Sequence, residues 1–169
     1  MRTLLCLSIL AITVAYSTSI GATNINEWGP ATNNLQMSIS LEGNNNHIKC
    51  GEPANLICRY KNLSTNEVFS VYEFTGVVDD TSYSFIITSP AGEHIKPFVK
   101  VQEPASGAYH FLRPGQIFEI EFDLGKVYKL DQVGTYTIIA KKSEMLLPGK
   151  SQAFEVISNT LEVKVVPNQ

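Results

Sequence analysis

Leu35-Gln36-Met37-Ser38-Ile39-Ser40-Leu41 alternates apolar and polar side chains without a break. Successive side chains on an extended strand point to opposite faces, so this stretch reads as a half-buried β-strand. The same grammar recurs along the chain. Phe118, Ile120 and Phe122 alternate with Glu119 and Glu121, Leu56, Cys58 and Tyr60 take every second position, and Leu161-Glu162-Val163-Lys164-Val165 alternates cleanly. Further strands are expected at Val68 to Tyr72, Tyr83 to Thr88, Ile95 to Val101, Gly115 to Leu124 and Gly134 to Ala140, with Pro97 confining its strand to a sheet edge.

Turn residues separate these segments: Gly43-Asn44-Asn45-Asn46, Gly51-Glu52-Pro53, Ser89-Pro90-Ala91-Gly92 and Arg113-Pro114-Gly115-Gln116. No stretch carries a helical repeat of apolar residues. Many short strands at regular spacing predict an all-β, immunoglobulin-like antiparallel β-sandwich.

The chain of 169 residues opens with Arg2, an apolar run from Leu4 to Val14, and small or polar residues from Ser17 to Ala22. This is the layout of a secretory leader, with cleavage expected after Ser19 or Ala22. Its apolar core is shorter than the ~20 residues a membrane span needs. The expected division is a signal peptide over 1–22, a loose polar segment over 23–34 pinned at most by Trp28, and one sandwich domain over 35–169. A chain beginning at Thr23 has 147 residues, enough to bury a core without disulfides. No second apolar run is long enough to span a membrane, so a secreted or periplasmic protein is expected.

Loss of Arg2 leaves 12 basic against 16 acidic residues. This mild acidity argues against nucleic acid as a partner, because phosphate binding needs a basic surface. Export would permit a disulfide between Cys50 and Cys58. The same residues equally suit two free thiols at core positions.

Nothing in the chain assembles into a catalytic pattern. His47, His94 and His110 are the only histidines, and no Gly-x-Ser-x-Gly elbow or phosphate loop is present. Metal ligands at zinc or copper spacing are missing, and Asp79-Asp80 with Glu73 reads first as solvated carboxylates. No enzyme, cofactor or metal is therefore expected. Asn62-Leu63-Ser64 fits the N-glycosylation acceptor pattern and suggests a surface loop. Phe74, Val77 and Val78 surround Gly76, and Phe98, Val99 and Val101 precede the turn Pro104-Ala105-Ser106-Gly107. They either cap the core or, exposed together, form a partner-binding patch at one end of the sandwich. The connections 73–82 and 97–111 are thus the candidate recognition surface.

Taken in order, several segments resemble bacterial extracytoplasmic Ig-like domains. Lys49-Cys50-Gly51-Glu52-Pro53, running on to Lys61-Asn62-Leu63-Ser64, is similar to their opening strand. Leu112-Arg113-Pro114-Gly115-Gln116 is similar to their Pro-Gly turn. Gly134-Thr135-Tyr136-Thr137-Ile138 and Val156-Ile157-Ser158-Asn159, followed by Leu161, Val163 and Val165, resemble their last two strands. Trp28-Gly29-Pro30 with Leu35-Gln36 resembles their start. The BsuPI-type proteinase inhibitor domain has a similar skeleton, whereas the Asn-Pro-Thr-Thr-Gly and Gly-x-Gly-Gly loops of chagasin-like inhibitors are missing. The resemblance implies a fold and no catalytic residues. A non-enzymatic binding or structural module is the expected function, meeting a protein or a surface glycan through loops or an edge strand. The alternative is an extracellular protease inhibitor. A small hydrolase is disfavoured by the absent pairing of histidine with a nucleophile.

Overall fold

The computed structural model describes residues 28–74, 83–98, 107–145 and 153–168. Its elements are β1 (Leu35–Leu41), β2 (His47–Lys49), β3 (Asn55–Asn62), β4 (Phe69–Phe74), β5 (Tyr83–Thr88), β6 (Gly107–Leu112), β7 (Ile117–Asp123), β8 (Gly134–Met145) and β9 (Phe154–Val166). Two single 3-10 turns lie at Glu42–Asn44 and Leu124–Lys126. The described chain is all-β. One sheet has the order β1-β3-β7, a second β2-β9-β8-β5, and β4 and β6 form a separate two-stranded ribbon. Every strand pair is antiparallel except β2–β9, which corrects a purely antiparallel expectation.

The two larger sheets pack face to face because alternation gives each an apolar inner surface. Leu35, Met37, Ile39 and Leu41 of β1, Leu56, Cys58 and Tyr60 of β3, and Ile120 and Phe122 of β7 are buried on one side. Tyr83, Phe85 and Ile87 of β5, Tyr136, Ile138 and Ala140 of β8, and Leu161, Val163 and Val165 of β9 are buried opposite. The Phe122 ring bridges the sheets, 4.8 Å from Tyr83 and 5.7 Å from Phe85 between centroids. Such aromatic contacts add about 1 kcal/mol each beyond the area they bury.

A polar seam also joins the layers. Asn159 sits where β9 slips register against β8, and its side chain behaves like a short length of strand. Its Oδ1 accepts from the Ile39 amide at 2.7 Å, and its Nδ2 donates to the Ile39 carbonyl at 3.2 Å. Ser158 Oγ takes the Ala140 amide at 2.9 Å, satisfying a buried donor beside the bulge.

Several expectations need correction. The strand over Ile95–Val101 is not formed in its described part, 95–98. Beside it lies the isolated Thr88–His94 bridge, the Ile95 amide bonds the Ile87 carbonyl and the Phe98 amide the Val127 carbonyl, but these make no ladder, and Pro97 cannot donate to one. Val99 and Val101 lie outside the described residues. Of the stretch 97–111, residues 107–111 belong to strand β6 rather than to a connection. Residues 28–34, expected to be loose, are held down. Gly29 donates to the Met37 carbonyl at 2.9 Å, the Gln36 amide reaches the Gly29 carbonyl at 3.1 Å, and the Lys61 ammonium lies 5.8 Å from the Trp28 ring centroid. The proposed leader, 1–22, and residues 23–27 lie outside the described residues.

Cys50 and Cys58 are both free thiols in the structure, in line with the second of the two alternatives. Cys58 points into the core, whereas Cys50 follows β2 in the other sheet and donates to the Asp131 carbonyl at 3.1 Å. Burial pushes the Cys58 thiol far above its ordinary pKa.

Candidate partner-binding surfaces

One concavity lies where the Gly51–Ala54 turn meets the segment after β7. It encloses about 350 Å³ and is lined by Pro53, Phe98, Tyr128 and Leu130, with Glu52, Asp123, Lys126, Lys129 and Asp131 around it. Phe98 is half exposed and anchored by its amide to the Val127 carbonyl at 2.9 Å. Much of the rim charge is paired: Lys126 with Asp123 at 3.4 Å and Lys49 with Glu52 at 3.7 Å. Lys129 leans over the Phe98 ring at 5.6 Å. The cleft is therefore shallowly amphipathic with little net field.

The second surface falls partly within the expected stretch 97–111, although its residues were not singled out there. On the ribbon, Phe69, Val71 and Leu112 turn inward and are buried. Register places Phe69 opposite Leu112 and Val71 opposite His110, whose ring stacks on Phe118 at 4.2 Å. Alternation then sends Tyr109 and Phe111 outward, where they are 67% and 70% exposed. Ile117, at the start of β7, adds another exposed apolar side chain at 53%. Between β6 and β7 lies a cleft of about 230 Å³ lined by His110, Phe111, Leu112, Gln116, Ile117 and Phe118.

That cleft exists because of a local corner. In Arg113-Pro114-Gly115-Gln116, proline presets the second position and Gly115 takes a φ of 75°, as a type II turn requires. Gln116 closes it with its amide on the Arg113 carbonyl at 3.0 Å, and its side-chain oxygen takes the Arg113 amide at 2.9 Å. β6 does not hydrogen-bond to β7 beyond this turn. It pairs with β4 instead.

Asn62 anchors the corner and is itself fully buried, which corrects the surface-loop reading of its acceptor triplet. Its Nδ2 donates to the Glu67 carbonyl at 2.8 Å and the Leu112 carbonyl at 2.9 Å, while Oδ1 accepts the Ser64 amide at 2.8 Å. Both amide hydrogens are thus committed.

Of the residues singled out from sequence, only Phe98 stands on a described surface. Phe74 ends β4 opposite Gly107, and Val77, Val78, Val99 and Val101 lie outside the described residues. Among the described residues, no three His, Cys, Asp or Glu side chains group as metal ligands, and no helix is long and apolar enough to cross a membrane. No family model matches the chain, and no curated protein matches it.

Proposed function

We propose that this chain is a non-enzymatic binding module that works outside the cytoplasm, on an immunoglobulin-like sandwich. Support for the fold comes first from strand placement. The sheet orders β1-β3-β7 and β9-β8-β5 are compatible with the A-B-E and G-F-C orders of such domains, which supports the reading. A second feature is Tyr136 near the start of β8, whose hydroxyl accepts the Gln132 amide at 2.9 Å. This is the arrangement of a tyrosine corner. The leader-like pattern over residues 1–22 supports export.

The observation that carries the binding role is the exposed row Tyr109, Phe111 and Ile117 beside an open cleft. Large apolar and aromatic side chains more than half exposed beside one another mark an interaction surface, and aromatics are enriched in interface anchors. The partner is a protein or a surface glycan. Tagged protein recovered from its own culture fluid tests this. Phe111→Ser with Ile117→Ser should lose the co-purifying partner while Phe98→Ala retains it. Equal recovery by all folded variants would reject the surface. N-terminal sequencing of the exported chain should begin after Ser19 or Ala22.

A further inference from the structure

We infer that the outer edge of β7 docks an extended basic peptide as an added strand, a reading that rests on the binding role proposed above. The backbone geometry supplies the first step. β3 and β7 are antiparallel, with Asn62 opposite Gln116 and Ala54 opposite Leu124. The Asn62 amide bonds the Gln116 carbonyl at 3.1 Å, and the Leu124 amide the Ala54 carbonyl at 2.9 Å. Backbone groups alternate sides along a strand, so even-numbered residues serve the β3 ladder. The amides and carbonyls of Ile117, Glu119 and Glu121 then face the other way. Among the described residues, β7 pairs with β3 alone.

Chain connectivity would ordinarily fill this edge with β6, the strand just before it. Here β6 is drawn to β4, and the 230 Å³ cleft opens between the two strands at the turn. A strand laid along β7 could seat one apolar side chain in this cleft, against Phe111, Ile117 and Phe118. Adding a strand to an exposed sheet edge is a recurrent mode of peptide recognition, with affinity from main-chain bonds and specificity from side-chain pockets.

Charge selects the occupant. Glu119 and Glu121 share the exposed face of β7, and Glu119 already meets Arg59 across the sheet at 2.5 Å. Lysine or arginine at alternate positions of the incoming strand would lie opposite these carboxylates, and opposite-charge cross-strand pairs are favourable. A second copy of this chain would instead set Glu119 and Glu121 against each other, which like charges disfavour.

The test uses the leaderless protein and two labelled peptides, one alternating lysine and valine, the other glutamate and valine. Fluorescence polarisation should show the basic peptide binding and the acidic one at least about tenfold weaker. Glu121→Pro removes an outward amide while leaving the β3 ladder intact, and should weaken binding about tenfold. Glu121→Gln keeps the amide and should weaken it by a smaller factor, which guards against a proline variant that fails to melt cooperatively. Equal affinity for both peptides, no binding of either, or full binding by both Glu121 variants would overturn the inference. A concentration-dependent dimer abolished by Glu121→Pro would overturn it in favour of self-pairing. If neither peptide binds but Phe111→Ser with Ile117→Ser still loses the culture partner, the binding role stands and the strand-addition inference falls.

Discussion

Replacing Asn62 with alanine should destabilise the protein by about 3 kcal/mol. The side chain is fully buried and makes three hydrogen bonds of 2.8–2.9 Å, joining the end of β3 to the carbonyls of Glu67 and Leu112 and to the Ser64 amide. An intramolecular hydrogen bond contributes about 1 kcal/mol net, and each partner stranded without water costs about 1–3 kcal/mol. Leu112 is buried, so its carbonyl is the least easily rescued, whereas the Glu67 carbonyl lies on a half-buried residue that water can reach. At the entropy of unfolding for a domain of this size, the loss corresponds to about a 10 °C fall in melting temperature. Thermal unfolding followed by far-ultraviolet circular dichroism, with urea titration for the free energy, measures it. Asn62→Asp should be hurt at least as much at neutral pH, because a carboxylate would then face two carbonyl oxygens, and should recover on acidification as the group regains a donor. A change under about 1 kcal/mol for Asn62→Ala would refute the reasoning. The same geometry predicts that folded protein from a glycosylating host carries no glycan at Asn62, read by intact mass.

The thiols should separate by reactivity: in the leaderless chain Cys50 reacts with a disulfide reagent under native conditions and Cys58 only in denaturant. Two native reactions, or none in denaturant, would contradict the placement. Alkaline pH should unfold the protein. Burial first, then the neighbouring Tyr83 and Cys58, raise the Tyr60 phenol, and burial raises the Cys58 thiol. Both are acids with folded values above their unfolded ones, 10.0 and 9.0, so stability is whole below about pH 9 and falls above it by up to ~1.4 kcal/mol per pH unit for each group. Tyr60→Phe should flatten the slope of stability against pH above 10, and an unchanged slope would exclude Tyr60 as a source. Gly29→Ala should free the amino-terminal segment while the sandwich stays folded, because an added Cβ would stand 2.1 Å from the Ile157 carbonyl oxygen and 2.5 Å from the Ser158 carbonyl carbon. Trp28 is the only tryptophan, so its emission should shift to the red, and an unshifted spectrum would contradict the packing.

The alternating segments were legible because each has one wet and one dry face. β1 and β5 occupy the residues expected, Leu35–Leu41 and Tyr83–Thr88, and the inward set Phe118, Ile120, Phe122 is oriented as read. β6 escaped because both of its faces are apolar or aromatic: His110 and Leu112 pack inward while Tyr109 and Phe111 stand in water, so no period of two is visible. The signal was present in the aromatic run directly before the Pro-Gly turn. β2 has three residues and is defined by its neighbour β9 rather than by its own pattern. The described part of the Ile95 to Val101 stretch, 95–98, has apolar content but joins no ladder, and its proline removes a donor where one would start. The burial of Asn62 was hidden because three separated backbone groups, at 64, 67 and 112, converge on it only after folding. A sequence triplet reports none of them.

Amide hydrogen exchange along β7, read residue by residue by nuclear magnetic resonance, tests the open edge most directly. In the free protein the amides of Phe118, Ile120 and Phe122 should exchange slowly and those of Ile117, Glu119 and Glu121 fast, the latter slowing when the basic peptide is added. Uniform protection along β7 before any peptide is present, or peptide-induced slowing confined to the cleft around Phe98, would contradict it.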